Sequence, residues 1–164
     1  MFKIKLSILL LISLLILSCS YQKNIAPKNK LSLSYIGGGF DALNLRNLLE
    51  SHLRSADLYD PLSNYTIEAG VGHGGGVFIT NIDNTSDREN VSTRIEINIK
   101  DKKNDCVSFR YSETIDYFYI YASGETFSSN QKAVQQIRFY NTETLIKKFI
   151  TNLSDNNFDC LDAE

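Results

Sequence analysis

The glycine-rich stretch around His73 comes closest to a catalytic or cofactor-binding motif. Residues 70–75 read Gly-Val-Gly-His-Gly-Gly and formally satisfy GxGxxG. A dinucleotide site would need a helix to open directly afterwards, so that its amides hold the pyrophosphate. The β-like segment Val77-Phe78-Ile79 follows instead. Residues 73–76 also mimic an esterase oxyanion loop, but no GxSxG nucleophile elbow occurs in the chain. We interpret residues 72–76 as a flexible glycine loop and predict no bound cofactor.

The remaining acids and histidines suggest neither an acid–base pair nor a metal site. Glu68 and Glu96 fall on the polar faces of predicted strands, and His52 falls on the apolar stripe of a predicted helix. Solvated charges and a packed boundary histidine are the simplest interpretations. We therefore predict no catalytic residue and no enzyme. A secreted hydrolase is the rival hypothesis, and it requires Ser123 to lie within hydrogen-bond reach of His73.

Six basic side chains cluster on or around one predicted hairpin. The plain interpretation is a solvated sheet face. The sharper one is a surface for phosphorylated or acidic ligands, because the planar fork of arginine suits such groups. The six residues are Arg88, Arg94, Lys100, Lys102, Lys103 and Arg110.

The N-terminus has the pattern of a bacterial lipoprotein signal. Lys3 and Lys5 precede an apolar run, Leu6–Leu17, which is shorter than the ~20 residues that span a bilayer. Residues 16–19, Ile-Leu-Ser-Cys, resemble a lipobox. We predict that residues 1–18 are a signal peptide and that Cys19 carries the lipid; the alternative is an ordinary secretory signal. Ser20 is not the aspartate that retains enterobacterial lipoproteins at the inner membrane, so the outer membrane is favoured.

Charge and composition argue against a nucleic-acid partner. Without Lys3 and Lys5 the 17 basic side chains become 15, against 19 acidic ones, a formal net charge of −4. A nucleic-acid binder would be expected to carry a basic excess. We divide the remainder into a lipidated N-terminus and tether (19–30), one α/β domain (31–154) and an acidic C-terminal tail (155–164).

Hydrophobic periodicity predicts the elements that position these residues. Apolar residues alternate with polar ones at 31–35, 65–71, 91–99 and 107–119, which indicates four strands. A strand is also possible at 77–80, after a bulge or wide loop. A helical stripe follows Asp41, which we predict as its N-cap, and a second runs from Ser129 to Leu153. The order β-α-β-β-β-α favours an α+β two-layer sandwich, a four-stranded mostly antiparallel sheet with both helices on one face.

Two cysteines remain if Cys19 is acylated. The strand from Cys106 runs outward for roughly 50 Å, at ~3.3 Å per residue. The last helix returns roughly 37 Å, at ~1.5 Å per residue. Its C-terminal tail should then lie near the start of that strand. A disulfide between Cys106 and Cys160 is our hypothesis, and it requires Cα atoms within about 7 Å.

Several local patterns also match one known family. Residues 65–68 form a strand that begins with tyrosine, and residues 88–101 are an arginine, an alternating strand and a closing aspartate. Residues 117–123 form a strand end that contains tyrosine. The apolar positions of the last helix are Ile137, Leu145, Phe149 and Leu153. With these matches the mature chain resembles the LptE family, the lipoproteins of the lipopolysaccharide export machine in Gram-negative outer membranes. It is closest to the alphaproteobacterial form, and the glycine-rich residues 72–76 depart from the pattern.

The resemblance implies a function that is not catalytic. LptE proteins sit inside the barrel of the outer-membrane protein LptD, assist its assembly, plug it and bind lipopolysaccharide. We therefore expect partners of these two kinds and a lipid anchor on the periplasmic face of the outer membrane. The resemblance also implies basic lipopolysaccharide contacts, for which Arg88 and Arg94 come first, then Lys100 and Arg110. The main alternative is a lipoprotein of another envelope pathway, such as an activator of peptidoglycan synthases.

Overall fold

The computed structural model of the protein describes residues 29–79, 87–121, 127–153 and 158–161. The predicted lipid site Cys19 and the rival nucleophile Ser123 lie outside these residues. The predicted element order is confirmed, and the elements are β1 Leu31–Gly37, α1 Asp41–Ser55, β2 Tyr65–Ile79, β3 Asp87–Asp101, β4 Cys106–Tyr121 and α2 Phe127–Leu153.

The four strands form one sheet in the order β1-β2-β3-β4. β1 lies parallel to β2, and the other two pairings are antiparallel, so the predicted mostly antiparallel sheet is confirmed. We call the end at which β1 begins the near end, and the end at which β2 finishes the far end. β1 stops at Gly37, opposite Gly70. The far half of the sheet therefore has three described strands, with β2 at its edge.

The core lies between one face of the sheet and the two helices. Strand alternation buries Ile95, Ile97 and Ile99, and the helical stripes bury Leu49 and Phe149 against them. Complete burial of such side chains stabilises the fold by about 1.5–3 kcal/mol each. The opposite sheet face, which we call the outer face, has no described helix over it. This is the predicted two-layer arrangement.

The prediction of a glycine loop at residues 72–76 is wrong. These residues continue β2 without a break, and their partners run in register from Arg94, opposite Gly72, to Asn90, opposite Gly76. Glycine is intrinsically disfavoured in strands, but pairing with a neighbouring strand can override this tendency. Here β3 is a long regular strand, and it provides a pairing partner for every one of residues 72–76.

The prediction that Asp41 caps α1 is also wrong. Phe40 occupies the N-cap position, and no side chain bonds the first turn there. The backbone N–H of Asp41 instead donates to the carbonyl of Gly38, at 3.2 Å. Gly38 has φ +124°, and a Cβ there would lie 2.7 Å from the carbonyl oxygen of Val71. A glycine turn thus starts the helix, and the Asp41 carboxylate is left for another partner.

The near end is closed by a disulfide. Cys106 and Cys160 are bonded, with their Cα atoms 5.7 Å apart. The N–H of Leu161 donates to the carbonyl of Val107, at 2.8 Å. Phe158 is buried close to the ring of Tyr65, with centroids 5.3 Å apart. These contacts hold the described part of the C-terminal segment against β4 and beside the start of β2.

Candidate binding site: the far end of the sheet

Three of the predicted basic residues, Arg94, Lys100 and Arg110, lie on the outer face, and two of them already have acidic partners. Arg94 pairs with Glu96 at 2.8 Å, and Lys100 pairs with Glu68 at 2.9 Å. Arg110 lies exposed opposite Asn98. Among the described residues no carboxylate lies within ion-pair distance of its guanidinium. The structure therefore leaves Arg110 as the most available of the three.

Arg88 lies in β3, between Phe78 of β2 and Ile120 of β4. Its side chain falls outside the described part of the structure. Its predicted role in ligand binding therefore stays a prediction. Lys102 and Lys103 lie in the turn before β4, where Lys102 Nζ donates to Ser32 Oγ and to the carbonyl of Ser63.

Four glycines make a smooth strip along the outer face of β2. Gly70, Gly72, Gly74 and Gly76 occupy alternate positions, so they share that face. None has a positive φ. A Cβ added at three of them would meet nothing within 4 Å, and at Gly74 only the Cβ of Ser92, at 3.8 Å. Neither a turn nor internal packing requires glycine here. Gly75 differs, because a Cβ there would lie 2.5 Å from the carbonyl oxygen of Asn90.

The strip is bordered by small polar and charged side chains. The register places Ser92, Arg94 and Glu96 of β3 beside it and continues to Asp116 and Thr114 of β4. Asn90 Nδ2 donates to Asp116 Oδ1, at 3.5 Å. The outer face is therefore hydrophilic along the glycine strip and its neighbours, whereas Phe118, opposite Asn90, is an apolar side chain on the same face that is 58% exposed. Glycine within a strand commonly marks a place where a ligand or another backbone approaches closely.

On the helix side, His73 anchors a chain of polar groups. Its Nδ1 lies 3.0 Å from Thr93 Oγ1, and its Nε2 lies 3.6 Å from the Asp41 carboxylate. Asn141 of α2 is buried, and its Nδ2 donates to Thr93 Oγ1 and to the carbonyl of Val91, both at 3.4 Å. One chain of polar contacts thus links α1, β2, β3 and α2.

Burial sets the charge of His73. Desolvation lowers the pKa of its imidazole below the ordinary value of 6.5, Asp41 raises it in part, and Arg138 lowers it further. The ring is therefore neutral near pH 7. With the proton on Nε2, toward Asp41, Nδ1 accepts the hydroxyl proton of Thr93. The Thr93 oxygen then accepts from Asn141, so each donor in this chain of polar contacts faces an acceptor.

The order acid, imidazole, hydroxyl resembles a nucleophilic triad, but this hydroxyl is unsuited to that role. Thr93 is 0% exposed, and its oxygen is occupied by His73 and Asn141. A nucleophile must reach the substrate carbonyl. We conclude that the array is structural. The rival contact between His73 and Ser123 involves a residue outside the described part of the chain.

A cleft of about 580 Å³ opens beside this polar chain. The exposed side chains of Phe40 and Phe139 line the cleft, together with Arg138. The Nε atom of Arg138 is buried and has no hydrogen-bond partner within the described residues. The lining residues are Phe40, Asp41, Asn44, Leu48, His73, Gln135, Arg138, Phe139 and Thr142.

Sequence reasoning missed this cleft. One signal was present: Asn141 interrupts the apolar stripe of α2, and a polar residue at such a position needs a buried partner. The alternation Ile67, Ala69, Val71 also continues to His73, which places that side chain on the helix side. His52, by contrast, is a half-buried boundary residue 3.7 Å from Glu143.

The described helices include none that is both long and apolar enough to cross a membrane. Within the described ranges, no group of three or more potential metal ligands occurs.

Comparison with known proteins shows the fold. No known family profile matches the sequence. No curated protein matches it either. Among solved structures, the chain is similar to a minor lipoprotein of Acinetobacter baumannii, with a TM-score of 0.59 and 12% identity over 77% of this chain and 92% of that one.

Two other lipoproteins share the arrangement. The rare lipoprotein B of Shewanella oneidensis has a TM-score of 0.57 and 11% identity over 77% of this chain and 94% of its own. A protein of Caulobacter crescentus described as a lipoprotein has a TM-score of 0.51 and 15% identity, covering 80% and 90%. The chain thus has a fold that occurs in bacterial lipoproteins, and at these identities the likeness extends to the fold alone.

Proposed function

We propose that this chain is an outer-membrane lipoprotein of the LptE type, which docks in the lumen of an LptD-like β-barrel and supports lipopolysaccharide assembly. In this proposal the protein has no catalytic role, needs no cofactor and does not bind nucleic acid. The family resemblance of the sequence supports it. So does the fold, which is shared with three bacterial lipoproteins.

The lipid anchor in this proposal is Cys19. Acyl chains on it would hold the domain at the periplasmic face of the outer membrane, each buried CH₂ contributing about 0.8 kcal/mol. Residues 19–30 would then connect the anchor to Leu31, at the near end of the sheet. Substitution Cys19→Ser should abolish incorporation of labelled palmitate and release the protein from the membrane fraction.

The observation that carries the proposal is the hydrophilic part of the outer face along the glycine strip. The lumen of a large barrel is polar, so a domain seated in it needs a polar surface that tolerates close approach. The glycine strip and its neighbours Ser92 and Thr114 have both properties. A monomer gains nothing from four side-chain-free positions in one strand, since glycine costs about 0.5–1 kcal/mol in a strand interior. Contact with a partner's wall would explain them.

The proposed lipopolysaccharide contacts are Arg88, Arg94, Lys100 and Arg110. Arg110 now leads, because Arg94 and Lys100 are engaged with Glu96 and Glu68. A phosphate would compete with those carboxylates for the two paired cations. A phosphate at Arg110 would meet a planar donor that has no acidic partner among the described residues, which is the favourable case for bidentate binding.

Site-specific photo-cross-linking tests the docking face. A photoreactive residue would be placed at Ser112 or Thr114 on the outer face, with Asn47, exposed on α1, as the matched control. We expect outer-face adducts with an outer-membrane barrel protein and little from the control. Adducts with a peptidoglycan synthase and no barrel would favour the alternative pathway. Barrel adducts from Asn47 alone would refute the assigned face.

A further inference from the structure

The cleft beside His73 has a balanced charge. Among its lining residues, Asp41 supplies one carboxylate and Arg138 one guanidinium, and the other polar groups are neutral. A phosphate or another dianion would face the carboxylate as well as the cation. A cationic ligand would face the Arg138 guanidinium as well as the Asp41 carboxylate. The electrostatics therefore favour a ligand without net charge.

The polar groups of the cleft exclude a purely apolar ligand. Asn44 and Gln135 each present both donor and acceptor atoms, Asp41 presents acceptors and Arg138 presents donors. A hydrocarbon chain would desolvate these groups without replacing their hydrogen bonds, which is costly. The ligand must therefore offer many hydroxyl-type groups that can donate as well as accept.

The aromatic residues add a requirement for flat apolar surface. Phe40 is 87% exposed and Phe139 is 49% exposed, although both are large apolar side chains. Such rings in a polar cleft are suited to lie against a ring that is apolar on its faces and polar at its edge. The volume is within the range of small-molecule sites, ~300–1,000 Å³.

From these three properties we propose that the cleft between α1, β2 and α2 binds a neutral sugar ring. Phe40 and Phe139 would contact the CH faces of the ring, and Asp41, Asn44 and Gln135 would bind its hydroxyls. An oxygen of the same ring could accept from the guanidinium of Arg138. Nothing in this inference requires the barrel partner, because the cleft lies on the helix side of the sheet, opposite the outer face.

Saturation-transfer NMR tests the proposal with the full mature lipoprotein, kept in a zwitterionic detergent that has no sugar headgroup. The probes are methyl glycosides of glucose, mannose and N-acetylglucosamine, with glucose 6-phosphate and a fatty acid for comparison. We expect transfer to the ring protons of at least one neutral glycoside. We expect Asn44→Ala and Phe139→Ala to weaken that binding about tenfold, the effect of roughly one lost hydrogen bond or ring contact.

Matched controls separate the site from general effects. Asn47→Ala changes an exposed amide on the same helix, and Leu62→Ala removes an apolar side chain that is 89% exposed outside the cleft. Both should leave binding unchanged. A glycolipid with a neutral sugar headgroup forms a second arm, and binding of it alone, lost in Asn44→Ala, would assign the sugar to a lipid. Binding of neither probe, binding confined to the phosphate or fatty acid, or equal losses in the controls would overturn the proposal.

Discussion

The Nε2 atom of His73 lies 3.6 Å from Oδ2 of Asp41, and this contact joins the glycine-rich half of β2 to the first turn of α1. A carboxylate in a first turn is favoured by the helix dipole. Because burial lowers the pKa of His73, the pair at neutral pH is a carboxylate beside a neutral ring. The contact therefore positions α1 over the sheet without a buried ion pair.

The first prediction concerns acid stability. The folded-state pKa of His73 is below 6.5, so the unfolded chain binds more protons as the pH falls through that value. The contribution of His73 to stability is complete above pH 6.5 and is lost as the pH falls toward the folded-state pKa. We expect His73→Gln to lose less unfolding free energy than the wild type between about pH 7.5 and 5.

Urea unfolding at a series of pH values measures this difference. Asn47→Ala is the matched control, since Asn47 is exposed on α1 outside the polar chain and carries no titratable group. The control should follow the wild-type pH profile. Identical profiles for His73→Gln and the wild type would contradict the assignment.

A second prediction concerns the polar chain that supports His73. Asn141→Leu and Thr93→Val should each destabilise the fold by about 1–3 kcal/mol. The first removes the buried donor to the Val91 carbonyl and Thr93, and the second leaves the Nδ1 atom of His73 without its partner. The double variant should cost less than the sum of the two, since both partners are then removed together. Urea unfolding of the four proteins measures the coupling. Additive losses would show that the 3.4 Å contact between Asn141 and Thr93 contributes nothing.

The glycines of β2 support a third prediction. Gly72→Ala should be tolerated or stabilise the isolated protein by up to about 1 kcal/mol, because its Cβ enters open space on the outer face. Gly75→Ala should destabilise it, because its Cβ would approach the Asn90 carbonyl at 2.5 Å. Thermal unfolding distinguishes the two variants. Equal effects would contradict the orientation of β2.

A larger side chain at Gly72 separates stability from docking. If the outer face meets a barrel wall, Gly72→Leu should reduce barrel recovery in a pull-down while the isolated protein stays folded. Thr114→Ala, which removes volume on the same row, is the control and should not reduce it. Full recovery with Gly72→Leu would mean that the glycine strip is not a contact surface.

The disulfide gives a fourth prediction. It closes a separation of 54 residues, so its removal should lower the unfolding free energy by about 2–4 kcal/mol. The double variant Cys106→Ala/Cys160→Ala and the reduced wild type should show the same urea midpoint, and reduction should not change the midpoint of the double variant. An unchanged midpoint would show that Phe158 and Leu161 hold the C-terminal segment without the covalent bond.

Strands and helices with strong periodicity were predictable from the sequence. Ile95, Ile97 and Ile99 alternate with polar residues, and Leu145, Phe149 and Leu153 repeat at helical spacing, so local pattern and tertiary packing agree. The possible Cys106–Cys160 pair followed from comparing the lengths of β4 and α2.

The glycine strand and the cleft were not predictable in the same way. The conformation of residues 72–76 depends on pairing with β3, which local preference does not encode. The cleft is formed by Asp41, His73 and Arg138, which are far apart in the chain and meet only when α1 and α2 pack on one face. The sequence therefore carried no sign of it beyond Asn141 and the alternation that places His73 on the helix side.

The central claim is the barrel partner, and affinity purification of the full lipidated protein from detergent-solubilised outer membrane tests it most directly. We predict recovery of a large outer-membrane β-barrel in near-equal amount, and its loss with Gly72→Leu but not with Thr114→Ala. Recovery of a peptidoglycan synthase, with no outer-membrane barrel, would contradict the proposed partner.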